Sequence, residues 1–127
     1  MDVNNPVVAL CAAGTRAEFE GRLADARRAY QAAWEVAQDD YEACIAAHYV
    51  ARLQSDPHEM LRWNQEALNR AAAVADERVT PFYASLYLNL GQSHEQLGDE
   101  AEAKRYYDLA AGLGVIHQAA QGTKGPS

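Results

Sequence analysis

The sequence predicts an all-α fold in which a single domain, residues 1–114, consists of three antiparallel helical hairpins. The first indication is an internal repeat, because Gly14 and Ala26 recur 77 residues later as Gly91 and Ala103. The second is that apolar residues recur at spacings of three and four, and no stretch shows the alternation of a strand. The third is a set of helix-start signals. These three observations agree on a fold made of helices alone.

The first hairpin is predicted over about residues 7–40. Its second helix places an apolar or small residue on one face at every turn: Leu23, Ala26, Tyr30, Ala33 and Ala37. On the first helix, Gly14 is expected to face Ala26, with Tyr30 covering the seam between the helices. Because neither facing residue has bulk, the two helices should approach closely.

The middle hairpin is predicted over about residues 41–79. A repeat unit of about 34 residues leaves room between the outer copies for one unit that is about nine residues longer. Its two helices are expected at residues 41–53 and 58–75. His48 stands at the glycine position of this copy, Met60 at the alanine position and Asn64 at the aromatic position. Looser packing should follow from these bulkier or polar side chains.

The third hairpin is predicted over about residues 80–114. Pro81 fits the first helical position, where a missing N–H costs nothing. The apolar face of this helix carries Leu86, Tyr87, Leu90, His94 and Leu97. Across the chain, an acidic residue three positions before a glutamate predicts a capped helix start, since both side chains can accept from the first N–H groups. These pairs are Asp39 with Glu42, Asp56 with Glu59, and Asp99 with Glu102.

One further pattern in the third copy runs from an aromatic residue through a Leu-Gly pair to a small residue and a second aromatic: Tyr87, Leu90, Gly91, His94, Ala103 and Tyr107. It resembles the tetratricopeptide repeat. The Asn89-Leu90-Gly91 run and the longer middle unit look like the long-helix bacterial-type variant of that family. The resemblance covers about residues 7–114. It implies a right-handed α-solenoid whose first helices line a concave groove that binds a peptide.

The resemblance therefore implies a protein- or peptide-binding scaffold. The residues that it places in the groove are Thr15, Glu18, Glu42, Ile45, Tyr49, Arg52, Ser85, Leu88, Asn89, Gln92 and Glu95, with Val8 and Cys11 at the start of the first helix. Because only Arg52 is cationic among them, a clamp for a C-terminal carboxylate is not expected. Central residues that combine area with hydrogen-bonding groups, Tyr49, Arg52 and Asn89, are the expected hot spots.

The charge composition limits the classes of partner that are expected to bind. The net charge is −7, and 18 Asp and Glu outnumber 11 Lys and Arg, so nucleic acid and anionic membranes are not expected to bind. A neutral or basic protein segment is the expected partner. The first residues lack a basic stretch ahead of an apolar one, which predicts a cytoplasmic protein. Two cysteines on separate helices and four scattered histidines give no ligand spacing, so neither a metal nor a cofactor is expected.

The degenerate middle copy offers an alternative function. Cys44 and His48 lie four residues apart on one helix, with Arg52 one turn further, so they could form a thiolate–imidazole pair in a small-molecule or enzymatic pocket that includes Tyr49. The competing interpretation makes Cys44 a packing residue and bonds His48 to a neighbour such as Asn64. No third catalytic group is visible in the sequence, so enzyme activity is not expected.

A third alternative is that the protein is a self-associating structural module. Repeat arrays bury each hairpin against the next, so Tyr106, Leu109 and Leu113 on the last helix need a cover. Residues 115–127 are assigned to a C-terminal tail. We expect either a homodimer through the C-terminal helix or a docked turn at residues 115–121, with a disordered end at residues 122–127.

Overall fold

The computed structural model describes residues 4–74 and 76–121, and side chains up to residue 113. Within these ranges it contains helices and turns and no strand, which confirms the all-α prediction. A short 3₁₀ turn, Thr80–Phe82, precedes the fifth helix. The helices are α1 (Pro6–Phe19), α2 (Leu23–Val36), α3 (Asp40–Arg52), α4 (Pro57–Val74), α5 (Tyr83–Gln96) and α6 (Glu100–Gln121).

The predicted caps are present, with one change in detail. Asp39 accepts from Glu42 N at 2.8 Å, and Glu42 Oε1 accepts from Gln38 N at 2.9 Å, so this pair caps α3 in both directions. Asp56 and Asp99 also accept from helix-start N–H groups. Their glutamates bind arginines instead of reaching back: Glu59 binds Arg62 and Glu102 binds Arg105. The helix starts were therefore predictable from local spacing.

The two outer hairpins turn in the same way. Gly21 and Gly98, which are 77 residues apart, have φ angles of 80° and 81°. In both turns the amide after the glycine donates five residues back, from Arg22 N to Ala17 O at 2.8 Å and from Asp99 N to His94 O at 2.9 Å. This is the Schellman ending, which satisfies the last carbonyl groups of α1 and α5.

The glycines inside α1 and α5 accommodate tyrosine rings, which corrects the predicted facing of Gly14 with Ala26 and of Gly91 with Ala103. A Cβ placed on Gly14 would lie 2.4 Å from Cε1 of Tyr30, and one on Gly91 would lie 2.6 Å from Cδ1 of Tyr107. The two alanines are buried, at 0% and 4% exposure. Absence of bulk at the glycines thus makes room for an aromatic ring one turn beyond each alanine.

Each helix packs on the next along the chain, most extensively within the pairs α1 with α2, α3 with α4, and α5 with α6. α2 also packs on α3, α4 on α5, and α1 on α3. The middle pair therefore lies between the outer two. Trp34 of α2 and Trp63 of α4 meet edge to face, with ring centroids 5.0 Å apart. Both tryptophans are packing residues of this central core.

α6 continues through Gln121, into the segment that the sequence assigned to the tail. The predicted disordered end, residues 122–127, lies outside the described residues, and so do the side chains of residues 114–121. The predicted docked turn at residues 115–121 is wrong, because these residues continue the helix. The homodimer stays a prediction. None of the helices in the described part of the chain combines the length and the apolar character that crossing a membrane requires.

Candidate binding site

The first helices of the three hairpins lie next to one another. α1 packs on α3, and His48 of α3 reaches Asn89 of α5, with Nδ1 and Nδ2 3.2 Å apart. We call the surface formed by the eleven predicted groove residues of these helices the first-helix face. The three helices are adjacent along this face. The surroundings of each residue determine whether a ligand could reach its side chain.

One part of the face is a hydrogen-bonded cluster between the first two hairpins. Arg52 Nη2 donates to Glu18 Oε2 at 2.7 Å, and the Tyr30 hydroxyl donates to Glu18 Oε1 at 2.7 Å. Thr15 Oγ1 lies 3.3 Å from the same hydroxyl. The Arg52 hydrogen bond lowers the pKa of Glu18, which keeps the carboxylate charged. These residues join α1, α2 and α3, and the charge of Arg52 is neutralised within the protein.

This cluster has a signal in the sequence that the prediction missed. Glu95 lies 77 residues after Glu18, and it accepts from the Tyr107 hydroxyl at 2.6 Å. A glycine, a tyrosine and a glutamate therefore form the same arrangement in both outer hairpins. Arg52 occupies the corresponding glutamate position of the middle copy. Aligning the three copies would have revealed the exchange of Glu for Arg and the resulting pair with Glu18.

Two predicted groove residues, Glu42 and Ile45, make contacts within the protein that leave them little available to a ligand. Glu42 Oε2 accepts from Asn5 Nδ2 at 2.8 Å, while its other oxygen caps α3. Ile45 is 4% exposed and packs with Val7 and Cys11 of α1. The exposed members of the first-helix face are Thr15, Arg52, Ser85, Leu88, Gln92 and Glu95. Four of these six lie on α5, so the accessible part of the face is concentrated there.

His48 bonds to Asn89 and not to the expected Asn64. Because the Asn89 Nδ2 group can only donate, Nδ1 of His48 accepts and the neutral ring carries its proton on Nε2. Asn64 instead donates to Ser93 Oγ at 2.9 Å inside the core. The predicted packing role of His48 therefore holds with a different partner, since α5 and not α4 presents an amide to the ring.

A cleft of about 160 Å³ opens between α3 and the start of α5. Its lining residues are Cys44, Ile45, His48, Tyr49, Pro81, Phe82, Ser85 and Leu86. The cleft unites residues from the predicted groove with three members of the alternative pocket, Cys44, His48 and Tyr49. Arg52, the fourth member, turns to Glu18. We call this space the α3–α5 cleft.

Charge states in the cleft oppose thiolate chemistry. Burial raises the pKa of the Cys44 thiol to about 11, and burial together with the charge of Arg52 lowers the pKa of His48. At neutral pH the pair is a thiol and a neutral imidazole, whereas nucleophilic cysteines need a depressed pKa. Burial raises the pKa of Cys11 to about 12 in the same way. Among the described residues, no group of three or more His, Cys, Asp and Glu side chains could hold a metal ion.

His94, at the second aromatic position of the third copy, has a packing environment. Its ring stacks on Tyr106 with centroids 5.5 Å apart and planes 6° from parallel. Its Nδ1 lies 3.8 Å from a carboxylate oxygen of Asp99. The ring therefore substitutes for an aromatic side chain between α5 and α6, as the sequence predicted.

The His48 environment predicts a pH-dependent stability. Burial lowers the pKa of the folded ring below its ordinary 6.5, so the unfolded chain binds more protons below that pH. Stability from the neutral ring should be complete above about pH 6.5 and decline as the pH falls. Urea unfolding at about pH 7.5 and about pH 5.5 should show a smaller loss for His48→Gln than for wild type. Equal losses would contradict the assignment.

Comparison with protein-family models, with curated proteins and with solved structures finds no match to this chain. The candidate site is therefore defined by its own residues: the exposed polar and apolar side chains of α5, the Glu18–Arg52 cluster and the α3–α5 cleft.

Proposed function

We propose that this protein is a tetratricopeptide-like binding module, a right-handed array of three hairpins whose first-helix face binds a neutral or basic segment of another protein. The adjacency of α1, α3 and α5 supports this arrangement. The proposed ligand runs along α5 and over the α3–α5 cleft, because at the other end of the face Glu18 and Arg52 are already paired with each other.

The observation that carries the proposal is the exposed surface of α5. Leu88 is 45% exposed, and Ser85 and Gln92 are exposed one turn to either side of it. An apolar side chain flanked by polar side chains has the composition of a protein-binding surface. Carboxylates dominate the charge of the face, since Glu18 already binds Arg52, and this favours a cationic segment.

Leu88→Ser should weaken the binding of a basic peptide by about tenfold, which corresponds to ~1.4 kcal/mol. The physical reason is the loss of apolar contact at the centre of the exposed face. The peptides are those selected from a displayed library of random short sequences, with affinities measured by titration calorimetry. Leu23→Ser is the matched control, because Leu23 lies on α2, outside the first-helix face, and is 44% exposed against 45% for Leu88.

Circular dichroism and urea unfolding should be unchanged in both variants, since both side chains are partly in solvent. Equal weakening by the two substitutions, or selected peptides without basic residues, would contradict the proposed face.

A second candidate function, self-association through α6, is favoured by a separate surface. Leu109 and Leu113 are 41% and 42% exposed, and together with Tyr83 and Tyr87 they line a groove at the end of the third hairpin. Exposed apolar residues that adjoin tyrosines are typical of contact surfaces. Analytical ultracentrifugation of wild type and of Leu109→Ser separates this function from peptide binding, because only self-association should be lost in this variant.

A further inference from the structure

We infer that the α3–α5 cleft is a socket for one apolar side chain, of leucine or phenylalanine size, carried by the basic segment that binds the first-helix face. This inference rests on the proposed function and specifies its ligand. It is carried by the size of the cleft, the character of its walls and rim, and the charges around it.

The size fits one side chain. The cleft measures about 160 Å³, and an apolar protein cavity of about 150 Å³ accepts benzene. Its walls include the aliphatic side chains of Ile45 and Leu86 and the ring of Phe82. Ile45 and Leu86 are 4% and 2% exposed and belong to the core. The walls are therefore held by packing on both sides, and a ligand side chain would meet a preformed surface.

The rim supplies hydrogen-bonding groups for the backbone of the segment. Asn89 occupies Nδ1 of His48, so the protonated Nε2 is the ring nitrogen left to donate. Tyr49 and Ser85, which each carry a hydroxyl group, also line the cleft. His48 and Tyr49 are partly exposed and Ser85 is exposed, so these side chains are open to solvent and to a ligand. An extended backbone has carbonyl oxygens that these donors could reach while its side chain enters the cleft.

The surrounding charge selects a cationic segment. Glu42 of α3 and Glu95 of α5 lie on the same two helices as the cleft, and their carboxylates accept from neutral donors, Asn5 and Tyr107. Arg52, the cation of the face, is paired with Glu18. The chain as a whole carries −7. Lysine or arginine beside the apolar anchor would therefore be attracted, and an acidic neighbour would be repelled.

The test uses two phenylalanine variants on one helix. Ser85 lines the cleft, whereas Gln96 lies three turns further on, at the end of α5, exposed and outside both the lining and the first-helix face. Ser85→Phe should fill the cleft mouth, and Gln96→Phe is its control. Benzene is the first probe: it should shift the methyl NMR signals of Ile45 and Leu86 in wild type and in Gln96→Phe, and leave them unchanged in Ser85→Phe.

The second probe is a pair of lysine-glycine peptides with a central leucine or alanine. Wild type and Gln96→Phe should bind the leucine peptide about tenfold more tightly than the alanine peptide, and Ser85→Phe should bind both peptides alike. Equal binding of the two peptides by wild type would overturn the socket and leave the proposed function standing. Benzene shifts without binding of either peptide would overturn the occupant together with the proposed function.

A second copy of this chain is the remaining occupant that the same experiment detects. Phe19 is 95% exposed at the end of α1, so its ring could enter the cleft of another molecule. Concentration-dependent association that both Phe19→Ser and Ser85→Phe abolish would overturn the basic segment as the occupant.

Discussion

Gly14→Ala is expected to destabilise the protein by about 2 kcal/mol, within the usual 1–3 for an overpacked core. The new Cβ would lie 2.4 Å from Cε1 and 2.7 Å from Cδ1 of Tyr30, distances that require something to move. Tyr30 is 1% exposed and its hydroxyl is bound by Glu18, so the ring has little freedom to retreat. The strain must exceed the gain of up to ~1 kcal/mol that alanine brings to a helix interior. Urea unfolding measures the balance.

Two other helical glycines are controls for Gly14→Ala. Gly91→Ala should cost less, because its conflict is with Tyr107, which is only half-buried and can swing outward. Gly112→Ala should stabilise, since nothing lies within 4 Å of a Cβ at that position of α6. A Gly14→Ala variant as stable as Gly112→Ala would show that the ring of Tyr30 does not fill the space above the glycine.

Asn64→Leu is expected to cost about 2 kcal/mol, within the 1–3 typical of an orphaned buried polar group. Asn64 and Ser93 are 4% and 0% exposed, and their side chains bond to each other at 2.9 Å. Leucine keeps most of the volume of asparagine, so the main loss is the hydrogen bond to the Ser93 hydroxyl. Thermal and urea unfolding should give the same ordering of variants.

Adding Ser93→Ala to Asn64→Leu should restore most of the lost stability, since replacing both members of a buried pair can be nearly neutral. The double-mutant cycle isolates the interaction from the change in packing. Additive losses in the double variant would mean that each side chain is held by other contacts.

The helix starts were predictable because they depend on residues that are neighbours in the sequence. The side chains of Asp39 and Asp99 each cap an amide three residues away, and the amphipathic spacing of α2 is complete within that helix. Which residue of α2 packs against Gly14 could not be predicted from sequence spacing alone. Which turn of α2 lies opposite it depends on the relative shift of two helices, and the tyrosine lies one turn beyond the expected alanine.

The sequence assigned eleven residues to the first-helix face, but it did not indicate which of them are accessible to a ligand. The groove residues were assigned from equivalent positions in the first helix of each repeat, as if the three helices had the same surroundings. However, α3 packs on both helices of the first hairpin and on α4 of its own, and it buries residues such as Ile45 on several sides. For such a helix, periodicity does not separate a ligand-facing side from a core-facing one. The pairing of Arg52 with Glu18 was equally hidden, because it joins residues 34 positions apart in different hairpins.

The order of helix packing has a consequence for biosynthesis. Because each helix contacts mainly the next along the chain, most native contacts have short loops to close, which is the condition for folding in microseconds to milliseconds. A ribosome adds about 5–20 residues per second, far more slowly than that. The first hairpin can therefore close its Schellman turn at Gly21 while the third is still being synthesised. The apolar side of α3 can then pack on α1 and α2 as soon as it emerges.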